Sequence, residues 1–569
     1  MKALVLVKQV PDTKEIKTDE KTGSLKRDTV GSVINEADID ALIMCKNLKE
    51  ERNISFDAMT LGPVQSRAAL RQALGYGAEN AYHVCDGDFA GSDVLATAKT
   101  LKSAIDFTES EFSIIFTGFK STDSDTGHLP AELAALLGYT YITGVTKINE
   151  ITDDYINLVS VSDNKILNLK VKLPVVISTK QNNYPLQLPN LRQMMIARKK
   201  PLQKITNEDL KLEKKDVGYY GSPTKFVKMR ATVSDRKNEF LTDFNPKIDL
   251  PKFLQNAESE IKSEKRNYFN LNKRQRVLVV SDKKDLEVSK QMASSLNVKP
   301  EFLDLTLITN TKKIEQLKSY FDKIIISEKS EIYDQMAVFV TDYIKNNEFD
   351  IMLSDSNDFG RCLSATIAAN LKTGLTADCT EFDFQDDALI MTRPAYDDRL
   401  LASIKVPYHL PQMATVRPDI FEVCDLNKNA TIIENSLEVS KSKIEILKSE
   451  DCGATKEETK DLLFLVGNIL TSKEEVEYFE NLAKKYNADL ACTRPLVTGQ
   501  LMPHEKQVGV SGYISKAKLA VLIGVSGTTQ TMTGLKRCNK ILAINIDENA
   551  EVFNYSDYGI VDDYKNIFK

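Results

Sequence analysis

The chain has 569 residues, of which 42% are hydrophobic and 27% charged, and its formal net charge is −6. This length predicts about three to four domains, and the mild negative charge excludes a strongly basic nucleic-acid-binding protein. The eight cysteines are scattered without a CxxC pair, and there are four histidines. We therefore expect neither an iron–sulfur cluster nor a cysteine- or histidine-rich metal site.

The chain begins MKALVLVKQV, with an apolar stretch from Ala3 to Val7 that Lys8 ends at once. That stretch is too short for the apolar part of a signal peptide, so it predicts the first strand of a domain. No run of about 18 apolar residues occurs, so we expect no membrane span and a cytoplasmic protein.

β-Branched apolar runs alternate with helical patterns through the first 200 residues. Strands are predicted at 3–7, 113–117 and 171–177, and helices near 38–51, 64–74 and 92–105. This alternation predicts a parallel sheet covered by helices, an α/β domain over 1–200.

Residues 201–275 break the pattern, because they are rich in Lys, Asp and Asn and lack periodic apolar spacing. We interpret them as an arm and linker. The alternation restarts at Val277 and predicts a second α/β domain over 276–437. A charged stretch over 438–460 predicts a hinge, and a third α/β domain follows over 461–569.

The third domain contains two Gly-rich loops, QVGVSG at 507–512 and GVSGTTQT at 524–531. The second loop follows a predicted strand and opens a predicted helix, a turn that directs backbone N–H groups at an anion, usually a phosphate. The two loops, together with Arg494, favour a dinucleotide site over plain tight turns. The pattern is neither a Walker loop nor GxGxxG.

Longer segments resemble the electron transfer flavoproteins, which are normally built from an α chain and a β chain. The segments similar to the β chain are KQVPDT (8–13), LGP (61–63) and LPNLRQMMIARKKP (188–201). The segments similar to the α chain are GLTADC (374–379), TRPA (392–395), PQMATVRP (411–418) and AINID (543–547). The chain therefore resembles a fusion in which a β-like part, about 1–260, precedes an α-like part, about 276–569. The resemblance implies two Rossmann-like domains, of the adenine nucleotide alpha hydrolase-like kind, and a C-terminal FAD-binding α/β domain.

The resemblance places FAD in the C-terminal domain. The residues that match the family's flavin contacts are Thr493, Arg494, Gln507, Val508, Gly509, Ser511, Gly512, Gly524, Ser526, Gly527, Thr528, Gln530, Asn545 and Asp563. Arg494 is implied to favour electron uptake by the flavin ring, and Ser511, where the family has Thr, to donate a hydroxyl hydrogen bond. Two positions depart from the family, since Thr531 replaces a His and Asn468 an Arg, so one-electron behaviour is not carried over.

A second nucleotide site is implied in the β-like part. Its candidate residues are Leu6, Asn35, Leu61, Asp123, Asp125 and Thr126. Simple family members hold AMP there, whereas electron-bifurcating members hold a second FAD that NADH reduces. The segments at 8–13 and 89–93 favour the bifurcating type, but Phe119, where that type has Arg, opposes it. Both ligands therefore stay open.

The resemblance implies an electron carrier, with no catalytic side chain of its own. Electrons would come from NADH or from a flavin dehydrogenase such as an acyl-CoA dehydrogenase. Leu188 matches an exposed leucine that is implied to anchor the family's proteins to such a dehydrogenase. They would pass to a redox partner, for which ferredoxin and flavodoxin are the candidates. NADH oxidation, a simple one-FAD/AMP carrier and a non-redox adenine-nucleotide-binding regulator all stay open. The basic tract 198–204 lacks interleaved aromatic residues, so no nucleic-acid partner is expected.

Overall fold

The computed structural model describes residues 1–11, 31–231, 236–259, 268–282, 286–327, 332–396, 400–434, 442–452, 460–509 and 512–568. The chain forms two compact units. The first unit comprises Met1–Arg230, Asn267–Tyr396 and Ala402–Cys452, and the second comprises Ala231–Arg266, Asp397–Leu401 and Gly453–Lys569. The first two α/β domains of the sequence thus share one unit.

The β-like part of the first unit is built on a ten-stranded sheet. Its strands are β1 (Lys2–Leu6), β4 (Ser55–Leu61), β5 (Ala81–Val84), β6 (Ile114–Gly118), β7 (Thr140–Ile151), β8 (Tyr155–Ser162), β9 (Lys165–Lys172), β10 (Val175–Thr179), β11 (Gln203–Ile205) and β24 (Ile444–Asp451). They lie in the order β11-β5-β4-β1-β6-β10-β7-β8-β9-β24. The pairs from β11 to β7 are parallel, whereas β7, β8, β9 and β24 pair antiparallel.

Helices cover this sheet, and a short ribbon of two strands flanks it. The helices are α1 (Glu36–Arg52), α2 (Arg67–Tyr76), α3 (Val94–Phe107), α4 (Leu129–Leu137), α5 (Leu191–Lys199), α6 (Asn207–Leu210) and α7 (Gly218–Gly221). The ribbon pairs β2 (Gln9–Pro11) with β3 (Ser32–Ile34). Because parallel strands are covered on both faces, they contain continuous apolar runs, as at 3–6 in β1 and 114–116 in β6.

A seven-stranded parallel sheet forms the α-like part of the first unit, in the order β18-β22-β17-β14-β15-β16-β23. Its strands are β14 (Gln275–Ser281), β15 (Leu303–Thr309), β16 (Lys323–Ile326), β17 (Ile351–Asp355), β18 (Leu375–Cys379), β22 (Gln412–Val416) and β23 (Thr431–Glu434). Its helices are α9 (Leu286–Ser294), α10 (Tyr333–Asn346) and α11 (Asp358–Leu371). A four-stranded sheet contains β12 (Lys225–Ala231), β19 (Glu381–Gln385), β20 (Ala388–Ala395) and β21 (Leu400–Lys405).

One apolar core joins the two large sheets of the first unit. It runs from Leu4 on β1 through Leu133 on α4 and Leu363 on α11 to Met352 on β17. Leu133 and Leu363 are fully buried. Burial of one such side chain is worth about 1.5–3 kcal/mol. The β-like and α-like halves of this unit are therefore stabilised together.

The second unit has a six-stranded parallel sheet in the order β13-β29-β28-β27-β25-β26. Its strands are β13 (Glu239–Phe240), β25 (Leu462–Val466), β26 (Asp489–Cys492), β27 (Leu519–Ile523), β28 (Lys540–Asn545) and β29 (Tyr558–Val561). Its helices are α8 (Pro246–Ser259), α12 (Lys473–Lys485), α13 (Arg494–Thr498), α14 (Thr529–Thr533) and α15 (Tyr564–Ile567).

The expectation of α/β domains on parallel sheets is confirmed, but the predicted strand at 171–177 is wrong. Strand β9 ends at Lys172 and β10 begins at Val175, because Pro174 between them has no N–H to give to a sheet. Within the described ranges, no helix has both the length and the apolar character that crossing a membrane requires.

The charged segments contain more regular structure than the sequence predicts. Within the predicted arm, β13 pairs with β29, and Phe253 of α8 stacks on Tyr558 at 4.3 Å between ring centroids. Within the predicted hinge, residues 444–451 are strand β24, which pairs with β9. All the residues of this edge strand except Ile444 are exposed. Its second half, KSED, is wholly polar, so the apolar alternation is limited to residues 444–446 and is too short to mark a strand in the sequence.

A close contact at the end of β6 yields a prediction. A Cβ on Gly118 would lie 2.3 Å from Oδ1 of Asp38 and 2.7 Å from the carbonyl carbon of Ala37. Gly118→Ala should therefore push α1 away and lower the unfolding free energy by about 1–3 kcal/mol in urea titrations. The matched control is Gly87→Ala, whose Cβ meets no atom within 4 Å. Equal urea midpoints for the two variants would contradict this account.

Candidate functional site

The strand order of the second unit creates a crevice between two neighbouring strands. In this sheet β25 lies between β26 and β27. The chain passes from β25 to β26 on one side of β25, and then to β27 on its other side. Ligands of open α/β sheets bind at such a point, outside the carboxyl ends of the strands. Here the loops after β25 and β27 leave the sheet, and each starts with a glycine, Gly467 and Gly524. Their amides donate to Ile523 O and Ile544 O, both at 2.9 Å.

These two loops touch so closely that side chains are excluded. A Cβ on Gly467 would lie 1.9 Å from the carbonyl oxygen of Gly524. Gly527 has φ +90°, and a Cβ there would lie 2.1 Å from the Val552 nitrogen. The turn over 524–528 therefore depends on glycine both for its backbone conformation and for its packing.

The second Gly-rich loop packs against the same turn. Val508 N donates to Cys492 O at 3.1 Å, which fixes the loop at the end of β26. Gly509 has φ +133°, and a Cβ on it would lie 2.7 Å from the carbonyl oxygen of Gln530 in α14. Gly512 N donates to Gly509 O at 3.0 Å, whereas Ser511 lies outside the described residues. The structure thus brings the two Gly-rich loops into contact.

Exposed polar side chains surround these loops. Arg494 is the first residue of α13 and is exposed, while the preceding Thr493 is buried and donates its amide to Val466 O at 3.1 Å. Ser526 and Thr528 are exposed on the glycine turn. A cation, hydroxyl groups and bare backbone at the carboxyl ends of parallel strands fit the anionic and polar parts of a dinucleotide such as FAD.

Other predicted contacts are engaged within the protein. Asn545 donates its side-chain amide to Val525 O at 3.0 Å, and its Oδ1 accepts from Asp547 N at 3.0 Å. Asp563 accepts from Lys565 N at 2.9 Å at the start of α15. Gln507 and Val508 are 3% and 2% exposed. These side chains are therefore bonded within the protein or buried, and they support the conformation of the loops.

The ten-stranded sheet has its own crevice, where the chain leaves β1 for β4 on one side and β6 lies on the other. Leu6 and Leu61 are the last residues of β1 and β4, and their side chains pack against the apolar core. Buried Asn35 donates its amide to Asp38 Oδ1 and to Lys120 O, both at 2.9 Å. This asparagine therefore joins the start of α1 to the loop after β6.

Asp38, in the first turn of α1, is a further residue of this crevice that the sequence analysis did not single out. Its Oδ2 accepts from Lys8 N at 2.7 Å. Burial raises the pKa of Asp38 to about 7, and the hydrogen bonds from Asn35 and Lys8 oppose this shift only in part. No sequence pattern marks Asp38, because its raised pKa comes from burial and the Asn35 side chain makes no capping hydrogen bond at this helix start.

The loop over 118–127 is held by ion pairs and by two arginines. Asp123 pairs with Lys8 at 2.7 Å, and Asp125 pairs with Lys120 at 2.7 Å. From the α-like half of the same unit, Arg361 donates to Thr126 O at 3.2 Å. Arg393 donates to Ser124 O. The predicted residues Asp123, Asp125 and Thr126 therefore lie together.

Three buried nitrogen atoms beside this loop lack partners. Both ring nitrogens of His128 and Nε of Arg393 are buried without a hydrogen bond in the part of the chain that the structure describes. Burial, and then the nearby Arg361 and Arg393, lower the pKa of His128 well below its usual value. Buried polar groups of this kind call for a partner, because leaving one unpaired costs about 1–3 kcal/mol.

Leu188 lies on the segment before α5. It is 66% exposed, with Leu186 at 69% and Leu191 at 78%. Helix α5 is fixed at its start by a capping box between Asn190 and Gln193. We call these three exposed leucines, which lie close together along the chain, the apolar patch. Across the described ranges, no group of three or more metal-binding side chains occurs.

Comparison with known families decides the identity. The electron transfer flavoprotein domain profile matches residues 22–210 and 309–447, and the electron transfer flavoprotein FAD-binding domain profile matches 458–536. The chain belongs to the electron transfer flavoprotein family. The matches place the FAD-binding domain in the second unit, at the sheet that carries the two Gly-rich loops.

Individual relatives correspond to the two subunits. The electron transfer flavoprotein subunit beta of Thermoanaerobacterium thermosaccharolyticum is 35% identical over 244 residues, 42% of this chain and 92% of that protein. The electron transfer flavoprotein subunit alpha of Clostridium acetobutylicum is 32% identical over 300 residues, 49% and 87%. The lactate dehydrogenase (NAD(+),ferredoxin) subunit LctC of Acetobacterium woodii is 29% identical over 270 residues, 45% and 64%. Similarity to both subunits confirms a fused flavoprotein.

The raised pKa of Asp38 predicts a pH-dependent stability. The folded-state pKa of about 7 exceeds the ordinary value of 3.8, so the folded state binds more protons between these values. The unfolding free energy should therefore fall as pH rises from about 4 to about 7 and lose no more to this group above that.

Asp38→Asn should remove that decline, because the side chain no longer ionises. Urea titrations at several pH values measure the slope. The matched control is Asp106→Asn, an exposed carboxylate paired with Lys102, which should keep the wild-type slope. A wild-type slope in Asp38→Asn would show that this carboxyl titrates normally.

Proposed function

We propose that this electron transfer flavoprotein holds its FAD across the loops that follow β25, β26 and β27. The observation that carries the proposal is the contact of the two Gly-rich loops beside exposed Arg494 at the crevice of a parallel sheet. The glycines let the backbone approach the diphosphate, and the exposed residues Ser526 and Thr528 supply hydroxyl groups on the same turn. FAD, when bound, supplies the ring that stores electrons.

Arg494 is the group proposed to tune that ring. Its charge is fixed, since a guanidinium does not lose its proton in proteins, and it begins α13 directly after a buried strand end. A cation held beside the ring favours the reduced form over the oxidised form. Asn468, also exposed, adds no second charge on the neighbouring loop.

Arg494→Ala should lower the midpoint potential of the bound flavin, by roughly 30–60 mV for a two-electron couple. Arg494→Lys should recover part of this shift, and Asn468→Arg should raise the potential. The control is Lys484→Ala on α12, an exposed cation on another element, which should leave the potential unchanged. Redox titration followed by absorbance measures the potentials of all four variants. An unchanged potential in Arg494→Ala contradicts the placement of Arg494. Purified protein that is colourless and takes up no FAD contradicts the FAD site itself.

A second adenine nucleotide is proposed at the crevice between β1 and β6. The support is the cluster of Asn35, Asp38 and the loop over 118–127, together with the unpartnered nitrogens of His128 and Arg393 nearby. The unpaired N–H of neutral His128 and the Nε–H of Arg393, beside a loop that two arginines hold, suit the phosphates of a nucleotide.

We favour a second FAD in this site, with AMP as the alternative. A second flavin would make the protein of the bifurcating type, which takes electrons from NADH. The name of the similar LctC protein pairs NAD(+) with ferredoxin, and this supports the same two partners here.

Denaturation of the purified protein and chromatography of what it releases should yield two FAD per chain. One FAD and one AMP per chain would instead indicate the simple carrier. One FAD with no second nucleotide would refute the site. Addition of NADH to the protein before denaturation provides a spectroscopic check, because only the bifurcating type is expected to bleach directly.

The apolar patch of Leu186, Leu188 and Leu191 is proposed to dock a flavin dehydrogenase such as an acyl-CoA dehydrogenase. Leu188→Ala should weaken that contact by about 1–3 kcal/mol, roughly tenfold to a hundredfold in Kd, without changing FAD content. Leu447→Ala is the control, since this leucine is 52% exposed on β24. Titration with the dehydrogenase measures the Kd of both variants. Equal Kd values would show that the patch is not part of the interface.

A further inference from the structure

The segments 217–230 and 402–411 of the first unit expose a group of large side chains, and neither segment contains Asp or Glu. The two segments meet beside Gly374, where an added Cβ would lie 2.7 Å from Cγ2 of Thr224 and 2.8 Å from Cγ2 of Val406. The side chains that we call the tyrosine surface are 57% to 83% exposed, and they are Tyr219, Tyr220, Tyr408 and Leu410.

The two tyrosines of α7 are held in place although they are exposed. Tyr219 N donates to Ala90 O at 2.9 Å. The preceding Gly218 has φ +58°, and a Cβ on it would lie 2.1 Å from Asp88 O, so the turn that presents the rings requires glycine. The rings of Tyr219 and Tyr220 meet edge to face, with their centroids 5.8 Å apart. Rings fixed in this way lose little conformational freedom when a partner covers them, which favours binding.

Lysines give this surface a positive charge. Lys225 Nζ lies 4.0 Å from the ring centroid of Tyr219, and Lys214 Nζ lies 5.1 Å from that of Tyr220. Neither lysine has an ion pair with a carboxylate within the described ranges. The chain as a whole has a net charge of −6, so this local positive charge is opposite in sign to that of the protein.

The loop between Tyr408 and Leu410 lies close to the same charges. Burial, and then the nearby Lys99 and Lys225, lower the pKa of His409, whereas Asp93 opposes this shift. The carboxylate of Asp93 is engaged within the protein, since it accepts from the amide of Thr224 at 2.9 Å. The lysines therefore remain the available charged groups beside the tyrosine surface.

The ten-stranded sheet places this surface at the same edge as the second nucleotide crevice. Ala90, to which Tyr219 bonds, lies in the loop after β5, and β5, β4 and β1 are parallel neighbours. The carboxyl ends of β5 and β1 therefore lie two strand spacings apart, about 10 Å. A protein seated on the tyrosine surface thus lies next to that crevice.

We propose that the tyrosine surface docks a small acidic electron-carrier protein beside the second nucleotide site. The inference rests on the proposed function as an electron carrier. Carboxylates of the partner face Lys99, Lys214 and Lys225, and its apolar centre covers the rings, as in other protein interfaces. A nucleic acid fits less well, because Lys214 and Lys225 already lie over ring faces on which bases stack.

Binding of an acidic ferredoxin tests the proposal, with a basic cytochrome c as the charge control. Calorimetric titration of the full chain with its bound FAD measures the Kd of each. We expect saturable binding of the ferredoxin, at least tenfold weaker when NaCl rises from about 50 mM to about 300 mM, because salt screens exposed charges. We expect no binding of the cytochrome.

Substitutions locate the contact on the tyrosine surface. Tyr220→Ala and Tyr408→Ala should each weaken ferredoxin binding about tenfold, and Lys214→Glu should weaken it at least tenfold at low salt. The matched controls are Phe107→Ala at the last residue of α3, which is 48% exposed, and Lys147→Glu, which is exposed on β7. Both controls should keep the wild-type Kd.

Three results overturn the proposal: no saturable binding of the ferredoxin, equal binding of the cytochrome, or ferredoxin binding that all three surface variants leave unchanged. Binding of a thymine oligonucleotide that Tyr220→Ala abolishes would instead identify a nucleic-acid site and also overturn it. The FAD content separates this test from the proposed function. A chain that lacks FAD and still binds ferredoxin through these residues refutes the flavin site and leaves the docking surface supported.

Discussion

The apolar core between the two large sheets is the contact on which the first unit depends. Helix α4 of the β-like half and α11 of the α-like half pack against each other, with Leu133 and Leu363 fully buried. Because α4 begins directly after the loop over 118–127, this core also fixes the loop that Arg361 and Arg393 hold. Burial of apolar surface thus positions polar groups that could not position themselves.

Both units use the same arrangement for their chemistry. In each, two parallel strands lie side by side while their loops leave in opposite directions, and glycine lets the neighbouring backbone come close. Gly118 admits Asp38 in the first unit, and Gly467 admits Gly524 in the second. The side chains then differ. The first crevice contains ion pairs between lysines and aspartates, and the second exposes Arg494 among hydroxyl groups.

Much of this fold could be predicted from the sequence, since parallel strands such as β1, β25 and β27 are continuous apolar runs. Strand β24 could not be recognised, because its backbone pairs with β9 while its charged side chains face solvent. The Gly-rich loops of the second unit could also be recognised in the sequence. Asp38 and His128 could not be recognised, because their importance comes from burial, which depends on helices distant in sequence.

The fusion of the two halves has a consequence for dilution. The subunit beta and subunit alpha relatives are separate proteins, so any assembly between two such chains must compete with the translational entropy of free subunits. In this chain the partners of the shared core are covalently linked, and their effective concentration does not fall as the protein is diluted. The ratio of the two halves is therefore fixed at synthesis, and neither half can be left in excess in the cell.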